Sequence, residues 1–141
     1  MSLLVKICGL TTPATVAAAL DGGADMLGFV FFPKSPRHID AQAAAALAAP
    51  ARGRATIVAL TVDADDAALD AICATLAPDL LQLHGGETPQ RCAAIRAARA
   101  RPVMKALGVG ARDDLSAIPA YAAVCDRLLI DAKPPKEARR P

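Results

Sequence analysis

The stretch Pro78–Gly85, PDLLQLHG, decides the fold. An Asp stands ahead of a short apolar run, and Gly85-Gly86 closes it. Along a strand, side chains alternate between two faces. Leu81 and Leu83 then share one face, and Gln82 and His84 share the other. One face is apolar throughout, while the other turns polar toward its C-terminal end. The same form recurs on either side, in Gly23–Phe31 (GADMLGFVF) and Cys125–Ala132 (CDRLLIDA), each with an Asp just before an apolar strand. Strands are predicted to begin near Leu3, Met26, Ala55, Asp79, Pro102 and Arg127, at spacings of 23, 29, 24, 23 and 25 residues. Alanine-rich helical patterns fill the gaps. A βα repeat of this length implies a parallel sheet with crossover helices.

The helix starts carry recognisable signals. Thr12-Pro13 and Thr88-Pro89 each read as an N-cap followed by proline at the first helical position. Asp40 precedes an alanine run, and Asp63, Asp65 and Asp66 lead into a helix whose Leu69, Ile72, Cys73 and Leu76 share one face. The fifth helix, between Asp113 and Val124, is predicted to be the weakest because Pro119 interrupts it. Eight such units need about 200 residues, and this chain holds about five and a half. A small doubly wound sheet and an eight-unit barrel cut short both satisfy the pattern.

Composition narrows the functional classes. Of 141 residues, 54% are hydrophobic, but 34 are alanine. Leu, Ile, Val and Phe still supply 34 residues, enough for one domain core. A net charge of +2, no Trp and one Tyr argue against nucleic acid as a partner. The chain shows no membrane-spanning apolar run and no signal-peptide pattern. The four cysteines, at positions 8, 73, 92 and 125, form no Cys-x-x-Cys, and the only histidines are His38 and His84. No metal site is therefore expected, nor a disulfide framework, and the chain reads as cytoplasmic.

Strand alternation also selects candidate site residues. In the first strand Leu4, Lys6 and Cys8 share a face. In the fourth Gln82 and His84 do so, in the fifth Val103, Lys105 and Leu107, and in the sixth Leu129 and Asp131. Lys6, Cys8, Gln82, His84, Lys105 and Asp131 are thus expected to converge at the C-terminal rim, where barrel enzymes place their sites. Burying so many polar groups costs several kcal/mol unless they serve a task or satisfy one another. An inert network, with Lys6 and Lys105 paired to Asp131, is the structural alternative. Cys73, Cys92 and Cys125 fit as core hydrophobes.

Several of these motifs together resemble phosphoribosylanthranilate isomerase, a tryptophan-pathway family. They are Lys6–Thr11 (KICGLT), Gly28–Phe32 leading into Pro33–Ile39 (PKSPRHI), Leu81–Gly85 (LQLHG), and Leu128–Asp131 (LLID) with a Lys-Pro-rich loop after it. The resemblance runs through all 141 residues in order. It implies a TIM (β/α)8-barrel fold in one incomplete domain over residues 1–141, holding only the first five and a half units. It implies an Amadori rearrangement of an aminoribose phosphate to an aminodeoxyribulose phosphate, with no cofactor and no metal. Cys8 matches the family's general base and Asp131 its general acid. Arg37 matches the residue that holds the anthranilate carboxylate, a task suited to a guanidinium. Lys6, Gln82 and His84 are expected to line the site for a small phosphorylated substrate. The base needs thiolate character, which Lys6 can supply. The acid needs its proton, which burial favours and nearby lysines oppose.

The resemblance departs from the family at the end of the chain. The seventh and eighth units, whose loops bind phosphate in such barrels, fall beyond Pro141. A chain stopping there leaves two open sheet edges, which favours association, such as a homodimer. An inactive truncated fragment or assembly module is the alternative reading. A metal-dependent epimerase-like barrel needs more histidine ligands than this chain has. The loop after Asp131, including the basic run 133–140, is expected to act as a lid.

Overall fold

The computed structural model describes residues 2–133. The expected lid and most of the basic run lie outside the described residues. Six parallel strands make one sheet: β1 (Lys6–Cys8), β2 (Met26–Phe31), β3 (Thr56–Thr61), β4 (Leu80–Leu83), β5 (Val103–Val109) and β6 (Arg127–Ala132). Helices α1 (Pro13–Asp21), α2 (Ala41–Ala48), α3 (Asp66–Leu76), α4 (Pro89–Arg99) and α5 (Ile118–Ala122) alternate with them. The spatial order is β1-β2-β3-β4-β5-β6. A doubly wound sheet reverses its order part-way; this one never does. Right-handed crossovers in unbroken order put every helix on one face and curl the sheet. The architecture is therefore a partial (β/α)8-type barrel.

The helix termini follow their local chemistry. Thr12, Asp40, Asp65 and Thr88 each accept a hydrogen bond from the backbone N–H three residues on, capping α1 to α4 in turn. Arg52 donates from its guanidinium to the carbonyls of Leu76 and Ala77, the unsatisfied end of α3. The fifth helix is the shortest of the described α-helices, in line with the expectation that it is the weakest, but Pro119 is not what interrupts it. Arg112–Ala117 forms a 3-10 segment that leads into α5, and Pro119 sits in the first turn of that helix. Its missing N–H is no loss there, so the proline starts the helix rather than interrupting it.

The core has two parts. The larger lies between sheet and helices and includes Leu27, Phe29, Ile57, Ala59, Leu81, Leu83 and Val103 from the strands with Val16, Ala44, Leu69, Leu76 and Ile95 from the helices. The smaller, Met26, Val58, Leu80 and Met104 with Leu129 against it, fills the concave face. Leu3, Leu4, Val5 and Ile7 at the β1 edge and Ile130 at the β6 edge are exposed. Among the described residues, β1 pairs only with β2, and β6 only with β5. No described helix is long and apolar enough to cross a membrane.

The repeated Asp has a structural reason. The Asp25 carboxylate accepts from Val5 N–H at 2.7 Å, Asp79 from Ile57 N–H at 2.8 Å and Asp126 from Val103 N–H at 2.9 Å. In return each Asp N–H donates to the carbonyl of the same partner residue. Each even-numbered strand is thus clasped to the odd-numbered strand before it, where both enter the sheet. The hydrogen bonds hold Asp126 below the ordinary carboxylate range, chiefly through Val103 N–H.

Candidate active site

Two glycines shape the β1 side of the rim. A Cβ on Gly28 would lie 2.9 Å from Cys8 Sγ and 3.1 Å from Lys6 Nζ, so both side chains lie across β2 where only glycine leaves room. A Cβ on Gly9, at φ +78°, would lie 2.6 to 2.8 Å from the Arg37 side chain. Arg37 comes from the Pro33–Ile39 loop. That loop turns through Ser35 N–H to Phe32 C=O and His38 N–H to Ser35 C=O, then returns to bridge His38 with Val30. The guanidinium therefore crosses the backbone directly after Cys8. Among the described residues, no carboxylate forms an ion pair with Lys6 or Arg37.

The other side of the rim carries a polar chain. The buried Gln82 amide donates from Nε2 to His84 Nδ1 at 3.2 Å. An amide nitrogen only donates, so Nδ1 accepts and a neutral His84 carries its proton on Nε2. That nitrogen lies 3.5 Å from Asp131 Oδ2. The Gln82 Oε1 atom is buried with no partner among the described residues. The Asp131 side chain is 54% exposed, so burial does not supply the environment expected for it.

Lys105 does not join the site. Register pairs Gln82 with Met104 and Leu83 with Lys105, which turns Lys105 toward the helices and Met104 toward the concave face. Lys105 is 2% exposed and ion-pairs with Glu87 Oε1 at 3.1 Å. The inert network of Lys6 and Lys105 with Asp131 is therefore not formed; Asp131 meets His84 instead. Strand 5 misleads because both of its faces are apolar apart from this one lysine, so composition does not reveal its parity. Glu87 escaped the sequence reading altogether. A lysine on a helix-facing strand position requires a buried carboxylate partner, but the sequence leaves the facing of Lys105 open, so no signal for Glu87 precedes the register.

The remaining cysteines fit the core. Burial, then the neighbouring Cys125, pushes the Cys92 thiol up to about 12, and burial raises Cys125 as well. A thiol so shifted is no base near neutral pH. All four cysteines are free thiols. Among the described residues, no three His, Cys, Asp or Glu side chains gather in a metal-holding group.

A family model described as N-(5'phosphoribosyl)anthranilate (PRA) isomerase matches residues 5–139. The chain belongs to the phosphoribosylanthranilate isomerase family. An N-(5'-phosphoribosyl)anthranilate isomerase from Nitrobacter hamburgensis is 61% identical over 141 residues, which are all of this chain and 63% of that protein. The phosphoribosylanthranilate isomerase structure from Thermotoga maritima superposes with a TM-score of 0.87 at 30% identity, over 96% of this chain and 64% of the other. A family structure in complex with reduced 1-(o-carboxyphenylamino)-1-deoxyribulose 5-phosphate gives 0.85 at 29% identity, over 94% and 66%. The chain thus spans slightly under two thirds of these isomerases.

Proposed function

We propose that this chain carries the catalytic half-rim of a phosphoribosylanthranilate isomerase, acting on N-(5'-phosphoribosyl)anthranilate in tryptophan biosynthesis. One observation carries the reading. Lys6 and Arg37, without carboxylate partners among the described residues, flank Cys8 on β1, while His84 just after β4 and Asp131 on β6 stand at the same rim. A site polarised in this way suits a substrate with a carboxylate at one end of its reacting bonds and a ring oxygen to be protonated at the other.

Asp131 delivers a proton to the ribose ring oxygen. The bond from that oxygen to C1′ breaks, and the anilino nitrogen lone pair forms a C1′=N iminium. Cys8, as thiolate, removes the C2′ proton, and that electron pair moves toward the iminium to give an enolamine. Protonation at C1′ and loss of the C2′ hydroxyl proton leave the ketone. The iminium serves as electron sink. Arg37 holds the anthranilate carboxylate through a forked pair of N–H donors. Lys6 Nζ lies over Gly28 beside Cys8 Sγ, at the end of the site where the substrate's anionic groups would enter. His84, with Nε2 3.5 Å from Asp131 Oδ2, orients that carboxyl at the rim.

We read residues 1–141 as one barrel-type domain; in an eight-unit barrel two further units would close its open edges. Those units would bring the phosphate loops. The free thiols support a cytoplasmic location. The test is turnover by the chain alone and by a fusion to the C-terminal part of the Nitrobacter hamburgensis relative. Conversion by the fusion, lost in Cys8→Ala, is the expected result. No conversion by a folded fusion would overturn the reading.

A further inference from the structure

We propose that Lys105 and Glu87 are positioning residues for His84, a role that rests on the isomerase reading for its catalytic consequence. They touch no reacting atom and sit behind the sheet, on its helix side. Lys105 Nζ donates to the carbonyls on both sides of His84: Gly85 C=O at 2.6 Å and Leu83 C=O at 3.4 Å. Its remaining bond goes to Glu87 Oε1 at 3.1 Å. The same Oε1 accepts from Gly85 N–H at 2.8 Å, and Oε2 accepts from Asp63 N–H at 2.9 Å. His84 N–H itself donates to Thr61 C=O at 2.9 Å. The backbone is therefore fixed at the amide of His84 and on both flanks.

The clamp is tied in from two further directions. Asp63 Oδ1 accepts from Gly86 N–H at 2.8 Å, and a Cβ on Gly85 would lie 2.6 Å from the Asp63 carboxyl carbon. Tyr121, on α5, donates its hydroxyl to Glu87 C=O at 2.7 Å, and Lys105 Nζ lies 5.7 Å from the centre of its ring. The loops after β3 and β4 and the fifth helix all meet on this pair.

A buried ion pair is a poor device for stability alone, because apolar residues of similar volume often serve as well or better. Here it fixes direction, since Lys105 Nζ has three separate acceptors and both Glu87 oxygens are held by named donors. The direction fixed here is that of the imidazole reaching Gln82 on one side and Asp131 on the other. Functional side chains need such locked support to stay within a fraction of an ångström of their working geometry.

The decisive variant is the double substitution Lys105→Met with Glu87→Gln, which removes both charges together. The readout is the pair of ring ¹⁵N shifts of His84, with His38→Asn identifying the signals of the only other histidine. In the unsubstituted chain the shifts should report a proton held on Nε2. In the folded double variant they should move toward the averaged values of an unconstrained imidazole. Turnover by the fusion should fall about tenfold to a hundredfold in kcat with KM little changed. A folded double variant with unchanged ring shifts would overturn the proposal and leave the pair a mere weld. If the double variant does not fold, Tyr121→Phe decides: the ring shifts move in the same direction by less, or stay fixed and refute it. The shifts need no turnover, so they decide this proposal even if the isomerase reading fails.

Discussion

The two ends of the sheet treat polar groups in opposite ways. Where the strands enter, each clasping Asp is met by a backbone N–H and gives its own N–H to the same partner residue. Where they leave, Lys6 lies over Gly28 and Arg37 over Gly9 without carboxylate ion-pair partners among the described residues, and Asp131 is more than half exposed. A saturated end contributes stability, whereas the other end carries the charged groups that the proposed function uses. Substitutions at the two ends should therefore separate function from stability.

The largest expected effect is at the rim. Asp131→Asn should lower turnover of the fusion by about 10²- to 10⁴-fold, the usual range for a positioned acid. Its unfolding free energy should stay within about 0.5 kcal/mol, as for other exposed substitutions. Next comes the buried pair behind the rim. Glu87→Gln alone strands the Lys105 charge in the core and should cost about 3–5 kcal/mol in denaturant unfolding. Arg37→Ala should raise KM roughly 10- to 100-fold, corresponding to about 1.5–3 kcal/mol for charge-assisted hydrogen bonds, with less effect on kcat.

The entrance end should give the reverse signature. Asp126→Asn should cost about 1–2 kcal/mol of stability and leave kcat unchanged. Its pH dependence has a definite sign. Asp126 titrates lower in the folded chain than in the unfolded one, held there first by Val103 N–H and then by Arg96. Its contribution is complete above the ordinary carboxylate value and is lost as pH falls through the lower folded value. Unfolding free energy against pH should accordingly be flatter in the acid range for Asp126→Asn than for the parent. The smallest effect is expected at the C-terminal end of α3, where Ala77 sits at φ 49°. Ala77→Gly should raise stability by about 0.5 kcal/mol, because only glycine adopts that region without steric cost.

The legibility of the sequence follows the same division. The strands, the four capped helices and the Asp repeat are local patterns of alternation, capping and spacing, so they are visible without coordinates. The strand order is not local, and the choice between a doubly wound sheet and a barrel needed the pairing of β1 through β6. Within the site, Lys6, Cys8, Gln82, His84 and Asp131 stand on strands whose polar face is unambiguous. The structure brings Lys6, Cys8 and Arg37 together on one side and Gln82, His84 and Asp131 on the other. Lys105 stood on a strand with two apolar faces, so only its register against β4 reveals which way it turns. Glu87 was hidden in a loop, where no periodicity marks a buried residue, and it became meaningful only through Lys105. The glycines at 9 and 28 stand within the quoted motifs, but what they make room for is seen only once the side chains crossing them are placed.

The most direct test of the division between the two ends is turnover of N-(5'-phosphoribosyl)anthranilate by the Cys8→Ala fusion, measured beside its unfolding midpoint. A loss of at least about a hundredfold with the midpoint unchanged is the predicted result. Full turnover in a folded Cys8→Ala protein, or a loss that merely tracks unfolding, would contradict it.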